Sequence, residues 1–155
     1  VAGHRHCVPV KRSNGVFSTM RKFLAILAFL GLLATLPAAA AESGSLFVNL
    51  TSNDTHRADM ALSFSGAMME RQHPVTIWLN DKAVLLAAKA NAGTFGPQQE
   101  KLAALMAKGV TVIVCPFCMK YYGVDDGDLL AGAKVGNPEL TSGLLFKEDT
   151  RTLSW

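Results

Sequence analysis

The chain has 155 residues, with 15 Lys and Arg against 12 Asp and Glu, a formal net charge of +3. That excess is local: Arg5, Lys11, Arg12, Arg21 and Lys22 all precede residue 42 with no acidic residue among them, which leaves ten basic against twelve acidic side chains in residues 42–155. A net charge of −2 there argues against nucleic acid or an anionic membrane as partner, and 114 residues suffice for one compact domain.

From Met20 the chain reads as an export signal. Arg21 and Lys22 give the basic start, Phe23 to Leu36 an apolar stretch of 14 residues, and Ala38 to Ala41 the small residues a signal peptidase reads. A membrane span needs about 20 residues, so we expect cleavage after Ala41 and no stable membrane insertion afterwards. The alternative is an uncleaved N-terminal anchor. With cleavage the mature protein is periplasmic or secreted. Residues 1–19 are mixed polar without periodicity, and we read them as an over-extended start ahead of an initiator at Met20. His4, His6 and Cys7 fall in that stretch and receive no functional weight.

The domain over 42–155 opens with a strand at Leu46 to Leu50 and a polar loop, Thr51 to Thr55, rich in helix-capping side chains. A helix from His56 to Gln72 follows, with Met60, Ala61, Phe64, Ala67 and Met68 as its apolar face; that spacing makes the methionines core rather than a copper pair. Val75 to Leu79 is a second strand, Asn80-Asp81 caps a short helix at Lys82 to Ala90, and Asn91 to Gly96 is a loop. Pro97 suits the first position of a helix that buries Leu102, Leu105 and Met106 and stops at Gly109.

Val110 to Val114 is an unbroken β-branched run, the pattern of a strand buried on both faces of a parallel sheet. It ends in Cys115-Pro116-Phe117-Cys118, and Pro116 permits a helix to open there. Two thiols are thus placed at the carboxyl edge of a strand and at a helix start, where thiolates are favoured. Tyr121 and Tyr122 read as a wall or an oligomer contact, and Asp125, Asp126 and Asp128 as a solvated loop. Ala133 to Val135 is a short strand, Asn137-Pro138 a helix start with Leu140, Leu144 and Leu145 on the buried face, and Thr150 to Trp155 a last strand.

This alternation predicts a three-layer α/β/α domain with a mainly parallel sheet of about five strands. Ligands in such sheets gather at the carboxyl ends of the strands. Three loops would meet there, supplying Cys115 and Cys118 as reactive groups and Thr51, Ser52, Asn53, Asn80, Asp81 and Lys120 as substrate contacts. No cofactor is expected.

The strand ending in Cys-x-x-Cys with Gly123 eight residues after Cys115, the run Trp78 to Val84, and the closing helix and strand together resemble the DsrE/DsrF superfamily, in its YchN-like branch. The resemblance covers most of residues 45–155. It implies a three-layer α/β fold, trimers or hexamers, and sulfur carried as a persulfide and passed to a partner protein. Cys115 matches the sulfur-carrying position and Cys118 the second cysteine of the YchN-like branch. The well-described carriers are cytoplasmic, whereas the leader here signals export. Cys-Pro-Phe-Cys is also a glutaredoxin spacing, but there the motif follows the first strand and here the third.

Three readings of the thiols follow. Sulfur transfer or thiol redox needs an attacking thiolate and a second thiol in reach. Soft-metal binding, copper or zinc, needs further donors, for which His56 and Met119 are the candidates, with His73 at the opposite edge. A structural disulfide in a non-catalytic oligomer needs neither.

Overall fold

A computed structural model describes residues 44–155. The expected leader and start, and His4, His6 and Cys7, lie outside the described residues. Among the described residues no helix is long and apolar enough to cross a membrane.

Five strands form one parallel sheet in the order β4-β3-β2-β1-β5. They are β1 (Ser45–Leu50), β2 (Val75–Leu79), β3 (Thr111–Val114), β4 (Lys134–Val135) and β5 (Thr150–Ser154). Between them run α1 (Thr55–Glu70), α2 (Ala92–Ala107), α3 (Pro116–Tyr122) and α4 (Pro138–Leu145). The first four strands are added in one direction, so their right-handed crossovers put α1, α2 and α3 on one face. The step from β4 to β5 runs back past the whole sheet. A right-handed connection in that reversed direction falls on the other face, which makes α4 the third layer.

Strand periodicity separates the two faces. Leu46, Val48 and Leu50, Val75, Ile77 and Leu79, and Val112 and Val114 join the main core with Leu62 of α1 and Leu102 and Leu105 of α2. Phe47, Trp78 and Ile113 point the opposite way, and the Phe47 and Trp78 rings meet edge-on at 6.1 Å between centroids.

Several elements depart from the expected outline. The helical face of α1 is turned: Ala58, Ala61, Leu62 and Ser65 are buried, whereas Met60 is 51% exposed and Phe64 lies outside, 5.8 Å from the Trp155 ring. Small residues allow α1 to sit close to the sheet and α2, which leaves Met60 and Phe64 outward, while Met68 packs against the core as expected. The expected helix at 82–90 is a pair of 3-10 turns, Asp81–Ala87 and Lys89–Asn91. Ala83, Val84, Leu86, Ala87 and Ala88 are all buried, whereas a regular helix would turn part of that run to solvent. Gln99 Nε2 and Asn91 Nδ2 donate to the Ala88 and Leu85 carbonyls (2.7 and 3.1 Å), satisfying groups that regular helix would have used. The expected loop at 91–96 is the first turn of α2, broken at Phe95 (φ −118°, ψ 18°), and regular helix resumes near Pro97. Leu140, Leu144 and Leu145 of α4 are only half-buried.

Candidate functional site

β3 delivers Cys115 to the carboxyl edge of the sheet. Its N–H donates to the Leu79 carbonyl (2.9 Å), extending the β2–β3 ladder one residue past the strand and pinning the thiol beside the loop after β2. Cys115 is also the N-terminal cap of α3, its Sγ accepting from Cys118 N–H at 3.4 Å, with Pro116 in the first turn and Gly123 ending the helix in the left-handed region at φ 69°. One helical turn brings the second thiol back over the first: Cys118 Sγ donates to Cys115 Sγ at 2.8 Å. Both thiols are free and half-buried.

The loop after β2 completes the cluster. Asp81 N–H donates to Cys118 Sγ (3.1 Å), and Asp81 Oδ1 accepts from Tyr122 Oη (2.6 Å). Asp81 does this with φ +47°, a left-handed conformation that costs a residue with a Cβ on the order of 1 kcal/mol or more. Burial pushes the Cys118 thiol up, the Cys115 sulfur adds to the rise, and the Asp81 N–H opposes it. Donation to Asp81 pushes the Tyr122 phenol up to about 12. Asn80 Nδ2 donates to Asn49 Oδ1, which ties this loop to β1.

Two hollows open here. One, of about 340 Å³, is lined by Asn80, Asp81, Phe117, Cys118, Tyr121 and Tyr122. The other, of about 210 Å³, has Trp78, Cys115, Pro116, Phe117, Asn137 and Pro138 in its wall. The second lies where the chain leaves β3 for one face and β4 for the other. Open α/β sheets form their crevice at that reversal.

Of the expected contacts, Asn80 and Asp81 join the thiols. Thr51 does not: its hydroxyl and N–H both donate to the Trp155 carbonyl (2.9 and 3.0 Å), fastening the chain end. Ser52 Oγ accepts from Asp54 N–H at 3.1 Å within the turn that starts α1. Asn53 is half-buried and Lys120 exposed, and neither lines either hollow. Met119 is buried in the core at 2% exposure, so it does not offer a donor beside Cys118. Among the described residues no group of three His, Cys, Asp or Glu is placed to hold a metal ion. His73 lies at the opposite edge as expected, its Nδ1 3.0 Å from the Gly44 carbonyl. Trp78, Phe117 and Pro138 went unmarked as site residues. In the sequence they stand only as parts of the Trp78 to Val84 run, the Cys-Pro-Phe-Cys motif and the Asn137-Pro138 helix start.

Residues 45–150 match the DsrE/DsrF-like family. The chain belongs to that family. It is a family of sulfur-relay proteins, and the five-stranded parallel α/β architecture agrees with its solved members. YchN of E. coli superposes with a TM-score of 0.63 at 18% identity, over 73% of this chain and 100% of YchN. MTH1491 of Methanobacterium thermoautotrophicum superposes with a TM-score of 0.60 at 15% identity, with the same coverage of 73% and 100%. At these identities the likeness is one of fold. No curated protein matches the chain.

Proposed function

We propose that this member of the DsrE/DsrF-like family is an exported sulfur carrier, in which Cys115 takes up a sulfane sulfur as a persulfide and Cys118 is the second thiol of the relay. The observation that carries this reading is the pair of free sulfurs 2.8 Å apart at the carboxyl edge of an interior strand, beside open hollows. Burial raises the Cys118 thiol and so favours its protonated form, and the two sulfurs lie close enough for a sulfur atom to pass between them.

The chemistry balances without an outside oxidant. Cys115 thiolate attacks the outer sulfur of a donor persulfide, R–S–SH. The donor S–S bond breaks as a new one forms, giving Cys115–S–SH, and the departing thiolate takes a proton as R–SH. An acceptor thiol, or Cys118 first, repeats the exchange on the outer sulfur. In an oxidising compartment the same proximity closes the pair into a disulfide unless a reductant opens it.

The leader pattern supports a periplasmic or secreted location with removal of residues up to Ala41. Partners are a sulfur donor or acceptor protein and further copies of this chain as a trimer or hexamer. Exposed Met60, Phe64 and Leu153 support self-assembly, and the acidic balance of residues 42–155 gives no support to nucleic acid.

Incubation with cysteine persulfide followed by peptide mass spectrometry tests the carrier role. We expect the Cys115 peptide to gain one sulfur atom in the wild type and in Cys118→Ser, and total loading to vanish in Cys115→Ser. Loading of Cys115→Ser at the wild-type level ends the proposal.

A further inference from the structure

The two sulfurs touch each other, yet they do not share an approach. The Cys115 hollow is walled by Trp78, Pro116 and Pro138, and the Cys118 hollow by Asn80, Asp81 and Tyr122. Phe117, 81% exposed, is the common wall. Their chemistry differs as well. Among the described residues, the Cys115 hollow has no charged side chain in its lining and the Cys118 hollow has one, Asp81.

From this we infer that the relay is two-sided: a sulfur compound with an apolar substituent reaches Cys115 at the β3–β4 crevice, and a separate thiol that is uncharged or cationic meets Cys118 beside Asp81. The inference rests on the carrier reading above and assigns its two substrates to different seats.

The reasons are electrostatic and steric. Asp81 is tethered to Cys118 through its own N–H (3.1 Å), so its carboxylate is held beside that sulfur and cannot swing far from an incoming group. Its negative charge already acts on the Cys118 thiol. An approaching anion meets the same field, and the low-dielectric walls of Phe117, Tyr121 and Tyr122 strengthen it. Trp78 and the two prolines give the other seat rigid apolar contact at little entropic cost, as aromatic and cyclic side chains do. Sulfur then crosses within the protein. Cys118 attacks the outer sulfur of Cys115–S–SH, one S–S bond replacing another, and the Cys115 thiolate takes up the proton that Cys118 releases. Nothing is oxidised overall.

Alkylation reads the two seats without requiring sulfur transfer. Iodoacetamide is neutral and iodoacetate anionic. Their rate ratio at any one thiol cancels that thiol's degree of ionisation and leaves the charge of its surroundings. At low salt, in reduced wild-type protein with each cysteine followed by its own peptide mass, we expect the amide-to-acetate ratio at Cys118 to exceed that at Cys115 by about threefold or more. Asp81→Asn should bring the two ratios together, as should high salt. A bulky side chain in the other seat, Thr141→Phe, should slow alkylation of Cys115 and spare Cys118. Equal ratios in the wild type, an Asp81→Asn variant that changes neither, or parallel slowing of both thiols in Thr141→Phe would each overturn the two-sided arrangement. The persulfide experiment stands apart from these rates: loading with equal ratios keeps the carrier and removes the two seats, and unequal ratios without loading do the reverse.

Discussion

Asp81 does three things with one residue. Its backbone sits in the left-handed region, its N–H meets Cys118, and its carboxylate receives Tyr122. A short acidic side chain tolerates that backbone better than most, which makes Asp a fitting occupant. The Tyr122 bond has a measurable consequence. Because the phenol is raised from 10.0 to about 12, the bond stabilises the fold fully below pH 10 and is lost as pH rises through about 12. An absorbance titration of the reduced protein should therefore show a late phenolate step near 12, that of Tyr122. In Asp81→Asn the late step should move down toward 10.0. Superimposable curves would mean that the carboxylate does not hold the phenol. Cys118 follows the same sign. As its thiol is raised from 9.0, its contribution is present below that pH and declines at higher pH.

At the scale of elements, the crevice depends on how closely β4 runs past β3. Gly136 leaves β4 with its N–H on the Val114 carbonyl at 2.8 Å. A Cβ at Gly136 would stand 3.2 Å from that oxygen and 3.4 Å from Thr141 Oγ1. The oxygen is backbone and held by its hydrogen bond, so it cannot move aside cheaply. Gly136→Ala should therefore lose roughly 1–3 kcal/mol in urea unfolding, a penalty typical of overpacking. An unchanged midpoint would show that the junction yields. Helix α3 illustrates a different economy, since its seven residues are too few to be stable alone. It persists because Cys115 caps it, Met119 anchors it in the core, and Gly123 closes it.

At the scale of the whole molecule, the sheet ends unevenly. β5 is an edge strand with exposed side chains, and Phe64 and Leu153 border an apolar hollow of about 250 Å³ next to it. An edge of this kind invites pairing unless it is covered. Light scattering on the purified protein should give a mass of three or six chains, and Phe64→Glu together with Leu153→Lys should reduce it to one. A wild-type protein that is monomeric at all concentrations would refute the assembly. The hollow takes Ser45 and His73, at the amino ends of β1 and β2, into its lining, whereas the thiols stand at the carboxyl edge.

The linear pattern carried the alternation of strand and helix, the burial of Val112, Ile113 and Val114, and the position of two thiols at a strand's end, because period-two runs and proline rules act over a few residues. It also marked Asn80 and Asp81, which follow a strand directly. It could not tell that Thr51 is spent on Trp155, since that bond spans 104 residues of sequence. Nor could it show that Met60 faces out, because phase on a helix with small and large apolar residues is settled by what packs against it. The two hollows belong to the same class. The Cys115 hollow exists because the crossover reverses after β4, and the Cys118 hollow because the loop after β2 meets α3; both depend on strand order, which no local segment encodes.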